Sequence, residues 1–352
     1  MKKLLSFIFA GIMALHAKPN VSVIEGSLFL KGQPDGVGQG KHIVLVAGDE
    51  EYRSEEAMPM LAQILAKQGF DCSVLFSLDK KGEFVDPNNH SSLSYSKAFD
   101  TADAIVLSIR FRAWKQQDIE RFDAALKRGV SIIGLRTTTH GFSFKKDSPY
   151  AHFSMRSRSE GWRGGFGKQV LGETWAGHHG AHKTEGTRTH IEEANKDHVI
   201  LNGVETITCE TDVYGAKPLA PSTILLRGEV TASFDPKSPG VAKKNKPMQP
   251  VAWVREFQHP DGGKSQVFTS TMGAASDFVD ENLRRLVING IYWATDLEVP
   301  EKVDVSFQNT YQPSFYSKGI FQKKKRPEDF LSVAVGHDPI DYYIDRQNGA
   351  HK

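Results

Sequence analysis

Cysteine is almost absent from this chain of 352 residues, in which only Cys72 and Cys209 occur. No C-x-x-C pair exists, so a structural zinc site built on cysteines is excluded. The two cysteines could pair with each other, but nothing in their spacing requires it. Cys72 lies within the apolar run "FDCSVLF" and is expected to be a small core residue.

The motifs of several enzyme classes are also missing. The sequence contains no G-x-S-x-G, no G-x-C-x-G and no H-E-x-x-H. The turn after the predicted strand 130–135, where related folds hold a nucleophile, offers only Thr137, Thr138 and Thr139. A threonine without an N-terminal amine beside it is a poor nucleophile, so a serine-hydrolase or cysteine-amidotransferase mechanism is not expected.

An excess of one charge and long apolar runs are lacking as well. The chain has 44 Lys and Arg against 42 Asp and Glu, which argues against nucleic acid as a partner. The one marked apolar run, residues 4–15, follows Lys2 and Lys3 and is too short to span a bilayer. Residues 1–17 are therefore predicted to be a signal peptide of a secreted or periplasmic protein that is not an integral membrane protein.

From residue 41 onward, short apolar strands alternate with amphipathic helices. Continuous apolar runs such as "HIVLVAG" are typical of parallel strands covered on both faces. We predict an N-terminal extension over 18–40, one α/β domain over 41–298 and an extended C-terminal segment over 299–352. Strands are predicted at 42–48, 70–76, 102–109, 130–135, 187–191, 222–230, 250–257 and 265–271, with helices at 55–69, 115–129 and 280–295.

Polar residues follow three of the predicted parallel strands directly. Because parallel strands end at one edge of a sheet, these side chains are expected to meet there and to bind a ligand. Some of them could instead be helix caps or solvated loop residues. They are Asp49, Glu50, Glu51, Tyr52 and Arg53 after the first strand, Arg110 and Arg112 after the third, and Arg136 and His140 after the fourth.

Three of the 13 histidines stand together in "WAGHHGAH", as His178, His179 and His182. Gly177 and Gly180 make a regular helix there doubtful, and a loop over a pocket is expected. The histidines could bind a divalent metal ion, hydrogen-bond a sugar or transfer protons, or serve structure alone. We expect His178 and His179 to reach His140 and Arg136 in one pocket, and His182 to face solvent.

A set of motifs in order then resembles the ThuA-like family, named for trehalose utilisation, and in particular its exported planctomycete and verrucomicrobial members. The resemblance covers roughly residues 40–325. It implies a fold like that of the class I glutamine amidotransferases, a flavodoxin-like three-layer α/β sandwich with a mostly parallel sheet. Many members carry a histidine where this chain has Ala274. The motifs are "KHIVLVAGDEEYRSEEAMPMLAQIL", "GLRTTTHGF", "FGKQVLGETWAGHHGAH", "TDVYG", "QPVAWVREF", "VFTSTMGAASDFVDENLRRLVINGIYWA" and "VPEKVDVSFQ".

The family is associated with sugars, in particular 3-keto sugars. The resemblance thus favours an enzyme that abstracts a proton from a keto sugar or 3-keto glycoside, as an isomerase, epimerase or lyase. A non-catalytic sugar-binding protein and a metal-dependent hydrolase remain alternatives, and a homo-oligomer is compatible with either. Catalytic candidates are His140, His178, His179, Arg136 and Glu50; substrate-binding candidates are Asp49, Glu51, Tyr52, Arg53, Arg110, Arg112, Trp175, Asp212 and Tyr214.

Overall fold

A computed structural model describes residues 20–336 of the chain. The predicted signal peptide, residues 1–17, and the end of the predicted C-terminal segment lie outside the described residues. Between residues 20 and 336, no helix has the length and hydrophobicity needed to cross a membrane. Cys72 and Cys209 are both buried and unpaired, and Cys72 is a core residue as expected.

The predicted strands and helices all form, within a few residues of the expected bounds. The α-helices are α1 (Ser54–Lys67), α2 (Gln116–Lys127) and α3 (Glu281–Ala294). The strands are β1 (Asn20–Ile24), β2 (Ser27–Lys31), β3 (His42–Gly48), β4 (Asp71–Phe76), β5 (Ala104–Ile109), β6 (Ser131–Leu135), β7 (Gly186–Ile191), β8 (Thr208–Cys209), β9 (Thr223–Thr231), β10 (Gln249–Gln258), β11 (Lys264–Ser270), β12 (Tyr311–Gln312) and β13 (Val333–Ala334).

Eleven of these strands form one mixed sheet, in the order β1-β2-β4-β3-β5-β6-β11-β10-β9-β7-β8. The expectation of a mostly parallel sheet is wrong, because only the central strands β4, β3, β5, β6 and β11 are parallel. Both flanks are antiparallel, and β10 turns back into β11 through a hairpin at "HPDGG", residues 259–263. Short loops of this kind can join only antiparallel neighbours, whereas parallel neighbours need long crossovers.

The helices pack against both faces of the parallel strands. Along β3, Ile43 and Leu45 join the core that contains α1 and α3, while Val44 and Val46 join the core that contains α2. Burial on both faces explains why these strands are continuously apolar. If the five parallel strands are numbered 1 to 5 as they occur along the chain, their order across the sheet is 2-1-3-4-5. The strand order therefore changes direction between β3 and β5, and open sheets of this kind bind ligands at such a point.

Both ends of the described chain add to this body in ways that periodicity did not predict. Strands β1 and β2 form a hairpin, and β2 pairs with β4 at the sheet edge. The C-terminal segment runs back across the N-terminal end of α1, where the Ser314 backbone N–H donates to Glu56 Oε2 at 2.8 Å. Its rings Phe315 and Tyr316 are buried, and Tyr316 stacks on Tyr52 with ring centroids 4.9 Å apart.

Candidate active site

The polar residues that follow β3, β5 and β6 meet beside the switch point, and the histidine loop packs over them. Two backbone N–H groups of this loop, those of His179 and Gly180, donate to the Val213 carbonyl at 2.9 Å each. A Cβ atom at Gly180 would lie 3.0 Å from Cβ of Asp212. Glycine thus allows the loop to lie against the "TDVYG" segment.

The Asp212 carboxylate is the centre of the site. Its Oδ2 accepts from His178 Nδ1 at 2.7 Å, and its Oδ1 accepts from His182 Nδ1 and from Arg136 Nη2 at 3.0 Å each. The residue is fully buried. Burial opposes its ionisation, but Arg136 and the two imidazoles hold the pKa of Asp212 well below its usual range.

Arg136 lies beneath this carboxylate and not on the pocket surface. Its Nη1 donates to the carbonyls of Asp212 and Thr271 at 2.7 and 2.8 Å, and its Nη2 donates to the Tyr52 hydroxyl at 3.2 Å. The guanidinium carbon lies 4.8 Å from the Tyr52 ring centroid and 3.8 Å from that of Tyr214. Arg136 therefore fixes Asp212 and two aromatic rings, while its own buried position keeps it from direct contact with a ligand.

His178 has the geometry of a general base. Because Asp212 accepts the Nδ1 hydrogen, the neutral imidazole carries its lone pair on Nε2. Within residues 20–336, that Nε2 has no hydrogen-bond partner, and 34% of the side chain is exposed. The ring lies 5.5 Å from the Trp175 ring and 5.4 Å from the Tyr214 ring, centroid to centroid.

His182 was expected to face solvent, but it is the second imidazole of the site. Its Nδ1 contacts Asp212, its Nε2 lies 3.2 Å from Glu51 Oε1, and its ring centroid is 4.6 Å from that of His178. Burial would lower the pKa of His182, yet its hydrogen bonds to Asp212 and Glu51 raise it. Burial would likewise raise the pKa of Glu51, but His182 and the neighbouring cations, Arg110 among them, lower it to about 2. His182 thus lies between two carboxylates, Asp212 and Glu51, which favour its protonated form.

His179 turns away from this cluster, contrary to the expectation that it faces His140. Its Nε2 contacts the carbonyl of Lys244 at 2.6 Å, on the neighbouring loop. His178 pairs with Tyr214 in an isolated bridge, and the chain bends at His179. Of the two imidazoles, only that of His178 faces the pocket.

His140 lies at the opposite wall of the same pocket. Its ring centroid is 5.2 Å from that of Phe111, 5.4 Å from Trp175 and 6.4 Å from Tyr214. Trp175 and Tyr214 are the two rings that also contact His178, so His140 and His178 share two ring neighbours, whereas His179 does not reach them. Burial first, and then the charges of Arg110 and Arg136, lower the pKa of His140 to about 3. This imidazole is neutral throughout the physiological range.

Four of the predicted site residues form a wall behind the pocket. Asp49 accepts from the backbone N–H groups of Glu51 and Tyr52 at 2.7 and 3.0 Å, so it shapes the turn after β3. Glu50 accepts from Arg110 and, at 2.9 Å, from Arg112 Nη2. The other bonds of Arg112 go to protein groups: the carbonyls of Arg110 and Pro87 and the Ser77 hydroxyl.

Arg53 belongs to the same wall. It is fully buried, has a left-handed backbone at φ 56° just before α1, and donates to the Glu50 carbonyl. Asp49, Arg53 and Arg112 thus have 0% exposure and cannot contact a substrate in this conformation. Arg110, with 12% of its side chain exposed and placed between Glu50 and Glu51, is the most exposed of the four predicted site arginines.

The comparison with protein families gives the decisive match. The ThuA family, described as "Trehalose utilisation", matches residues 43–294, which is well over half of the chain. The chain belongs to the ThuA family. This assignment relates the protein to carbohydrate utilisation and confirms the resemblance inferred from its motifs. No sequence match is found among curated proteins.

Solved structures similar to this member of the ThuA family are distant. A ThuA-like protein from Parabacteroides merdae has a TM-score of 0.47 and 13% identity, covering 84% of this chain and 99% of that one. A ThuA-like protein from Bacteroides uniformis has a TM-score of 0.45 and 11% identity, covering 75% and 94%. The exo-β-1,4-mannosidase Op5Man5 from an Opitutaceae bacterium has a TM-score of 0.29 and 9% identity, covering 72% and 36%.

Ala274, where the resemblance implies a histidine, is fully buried here. It packs in a small aromatic cluster with Tyr52, Phe315 and Tyr316. Two rings of that cluster come from the C-terminal segment, which has no periodic signal, so sequence reasoning missed Tyr316 as a neighbour of His182, 5.7 Å away between centroids. Phe111 was also missed, although its position between Arg110 and Arg112 offered a signal.

The donor set of the site also fits a divalent metal ion. One ring nitrogen each of His178 and His182 and a carboxylate oxygen of Asp212 lie within 4.8 Å of one another. Two imidazoles and one carboxylate are ligands that zinc and non-haem iron accept. An ion would replace the two Nδ1 hydrogens that Asp212 now accepts, while the Arg136 charge 3.0 Å from the carboxylate would weaken its affinity. His179, predicted as a ligand, is not part of the set.

Proposed function

We propose that this ThuA-family protein processes a keto sugar or 3-keto glycoside by abstracting a proton next to the carbonyl. The observation that carries the proposal is the Asp212–His178 pair: a buried carboxylate fixes Nδ1 at 2.7 Å, and a free, partly exposed Nε2 points away from it. A carboxylate that orients an imidazole in this way selects the tautomer whose Nε2 can accept a proton.

The neighbouring groups suit the charge that such a reaction develops. When His178 Nε2 takes the proton, the electron pair moves toward the carbonyl oxygen and an enediolate forms. The His182 imidazolium and Arg110 provide positive charge nearby, and neutral His140 can hydrogen-bond the substrate without competing as a base. The pKa of His182 is raised and that of His140 is lowered, which supports separate roles for these two histidines.

Aromatic rings provide the surface for the sugar. Trp175 and Phe111 flank His140, and their faces can stack on the C–H face of a pyranose ring. The proposal also includes a glutamine amidotransferase-like architecture. It further includes export directed by residues 1–17, so that the enzyme would meet its substrate outside the cytoplasm.

The test is deuterium incorporation into 3-keto disaccharides in D₂O, followed by NMR. Wild type is expected to exchange the C–H next to the carbonyl, and His178→Ala to lose the exchange. His179→Ala is the matched control, because the adjacent imidazole faces the Lys244 carbonyl and exchange should survive. If a broad panel of keto sugars shows neither exchange nor product, the proposal fails; saturable binding without exchange would identify a sugar-binding protein.

A metal-dependent hydrolase is the second candidate, favoured by the His178, His182 and Asp212 donor set. The residues would hold the ion, and the ion would supply a nucleophilic water at neutral pH. Metal analysis of the purified protein decides between the two candidates. A stoichiometric ion, with glycoside or amide hydrolysis lost to a chelator and restored by one divalent ion, would favour the hydrolase.

A further inference from the structure

A cleft of about 1070 Å³ adjoins the candidate active site. Phe111 and Trp175 line it, and both rings contact His140. The cleft therefore begins at the rings that would hold the reacting sugar. Its volume lies just above the range for small-molecule sites, about 300–1,000 Å³, and exceeds what one sugar ring needs.

The walls of the cleft carry positive charge without a counter-charge. Lys146, Arg156 and Arg158 line it, and no carboxylate does so among the described residues. The three cations are exposed, and within residues 20–336 their side chains form no ion pair or hydrogen bond. Most other arginines of the protein are engaged: Arg112 and Arg136, for example, each bond several protein groups.

The remaining surface of the cleft suits a sugar. Phe144 and Met155 add apolar area beside the two shared rings, and Ser143, Ser157 and Ser159 add hydroxyl groups. Sugars present an apolar C–H face together with hydroxyls, so a mixed wall of this kind is complementary to them. A wall that adds three unpaired cations is complementary to a sugar that carries negative charge.

We propose that this cleft binds a second sugar unit of the substrate, and that this unit bears an anionic group, either a carboxylate, a sulfate or a phosphate. The inference rests on the proposed function, since it places the reacting unit beside His178 and the charged unit beyond Trp175. Arg156 and Arg158 are the residues that would recognise the anion, because a guanidinium forms paired hydrogen bonds with such groups.

Binding of matched disaccharides tests the inference without requiring turnover. Isothermal titration calorimetry compares a neutral glucose disaccharide with counterparts whose second unit is glucuronic acid, glucose 6-sulfate or glucose 6-phosphate. At least one anionic disaccharide is expected to bind about tenfold more tightly than the neutral one, and less so at high salt. The three anions then identify which group the cleft accepts.

Variants locate the effect. The double substitution Arg156→Gln, Arg158→Gln is expected to abolish the preference for the anion and to leave the neutral disaccharide within about twofold of wild type. Lys145→Gln is the matched control, because Lys145 is an exposed cation of the same loop that does not line the cleft. Circular dichroism confirms that each variant is folded.

The inference is overturned if no disaccharide binds, if neutral and anionic disaccharides bind equally, or if the preference survives the double substitution. It is separable from the chemistry proposed above. A preference for the anion without deuterium exchange in any keto sugar would support the anionic sugar unit in the cleft and contradict proton abstraction. Exchange in neutral keto sugars without any preference for the anion would support proton abstraction and contradict the anionic sugar unit.

Discussion

Replacing Asp212 with asparagine removes the charge that Arg136, His178 and His182 share. The side chain keeps its shape, but one carboxylate oxygen becomes an NH₂ group. Three hydrogens now point at this carboxylate, two at Oδ1 and one at Oδ2. An amide oxygen can accept from Arg136 and His182, and the amide NH₂ must then face His178 Nδ1.

The consequence for His178 is a change of tautomer. An NH₂ group donates, so Nδ1 of His178 must accept, and the hydrogen moves to Nε2. The lone pair that would take the substrate proton is then lost. In a serine protease, the same substitution at the aspartate of the triad lowers kcat about 10⁴-fold. We expect Asp212→Asn to lower the rate of deuterium exchange by about 10³- to 10⁴-fold.

Stability should fall as well, because a buried ion pair loses one partner. Such losses cost about 3–5 kcal/mol. Arg136 retains three acceptors, namely the carbonyls of Asp212 and Thr271 and the Tyr52 hydroxyl, so the lower end is expected, about 3 kcal/mol.

The loss of stability caused by Asp212→Asn should depend on pH because His182 titrates. In the wild type, the raised pKa of His182 contributes stability that is complete below pH 6.5 and is lost as the pH rises through the folded-state pKa. Without the Asp212 charge, much of this contribution disappears. The difference in the free energy of unfolding between wild type and Asp212→Asn should therefore be larger at pH 6 than at pH 9.

Urea unfolding at both pH values measures these differences, and NMR titration of His182 should show its pKa falling in the variant. Asp277→Asn is the matched control. Asp277 is also a buried acceptor, bonded to the Thr211 hydroxyl at 2.7 Å and to the Gly273 N–H at 3.0 Å, but it contacts no imidazole. Its substitution should leave the His182 titration unchanged. A cost below about 1 kcal/mol for Asp212→Asn, equal at both pH values, would refute the reasoning.

Three further outcomes are expected. His182→Ala should cost about 1–3 kcal/mol, because buried Asp212 loses one of its three donors and buried Glu51 loses its hydrogen bond to the imidazole, whereas His179→Ala should cost less than about 1 kcal/mol in the same urea assay. Burial raises the pKa of Glu55 to about 7, and neither of its carboxylate oxygens has a hydrogen-bond partner within residues 20–336. The contribution of protonated Glu55 to the free energy of unfolding is therefore fully present below pH 4.5 and falls by about 3 kcal/mol as the pH rises to about 7. The stability of Glu55→Gln relative to wild type should thus increase over that interval. A difference between the two proteins that does not vary with pH would contradict this. Ala274→His should overpack the aromatic cluster and cost about 1–3 kcal/mol; a variant as stable as wild type would show that the site has room for the histidine common in the family.

The sequence by itself determined the central part of the fold. Apolar periodicity placed β3, β5, β6 and the three helices, because in these elements each side chain's surroundings follow from its spacing along the chain. It also predicted that Glu51, Arg110 and His140 lie at one edge of the sheet, because the carboxyl ends of parallel strands lie at the same edge. The antiparallel direction of the flanking strands could not be predicted from this pattern, because an apolar strand has the same pattern whether its neighbour runs parallel or antiparallel to it.

Only the tertiary structure decided which residues form the site. The sequence offered three histidines in one loop, but the bond from the loop backbone to Val213 sets its orientation, so His178 and His182 face Asp212 while His179 faces Lys244. Contacts of this kind join residues far apart in the chain, and no local pattern records them.

The same reason explains the arginines. Arg112 and Arg136 follow strands just as Arg110 does, yet they are buried, because carbonyl groups and carboxylates from distant segments surround them. A charged residue after a strand is predicted equally well to face solvent, a ligand or a buried partner. Its pKa and its accessibility depend on the groups that folding brings within a few ångströms, and the chain determines those groups only through its packing.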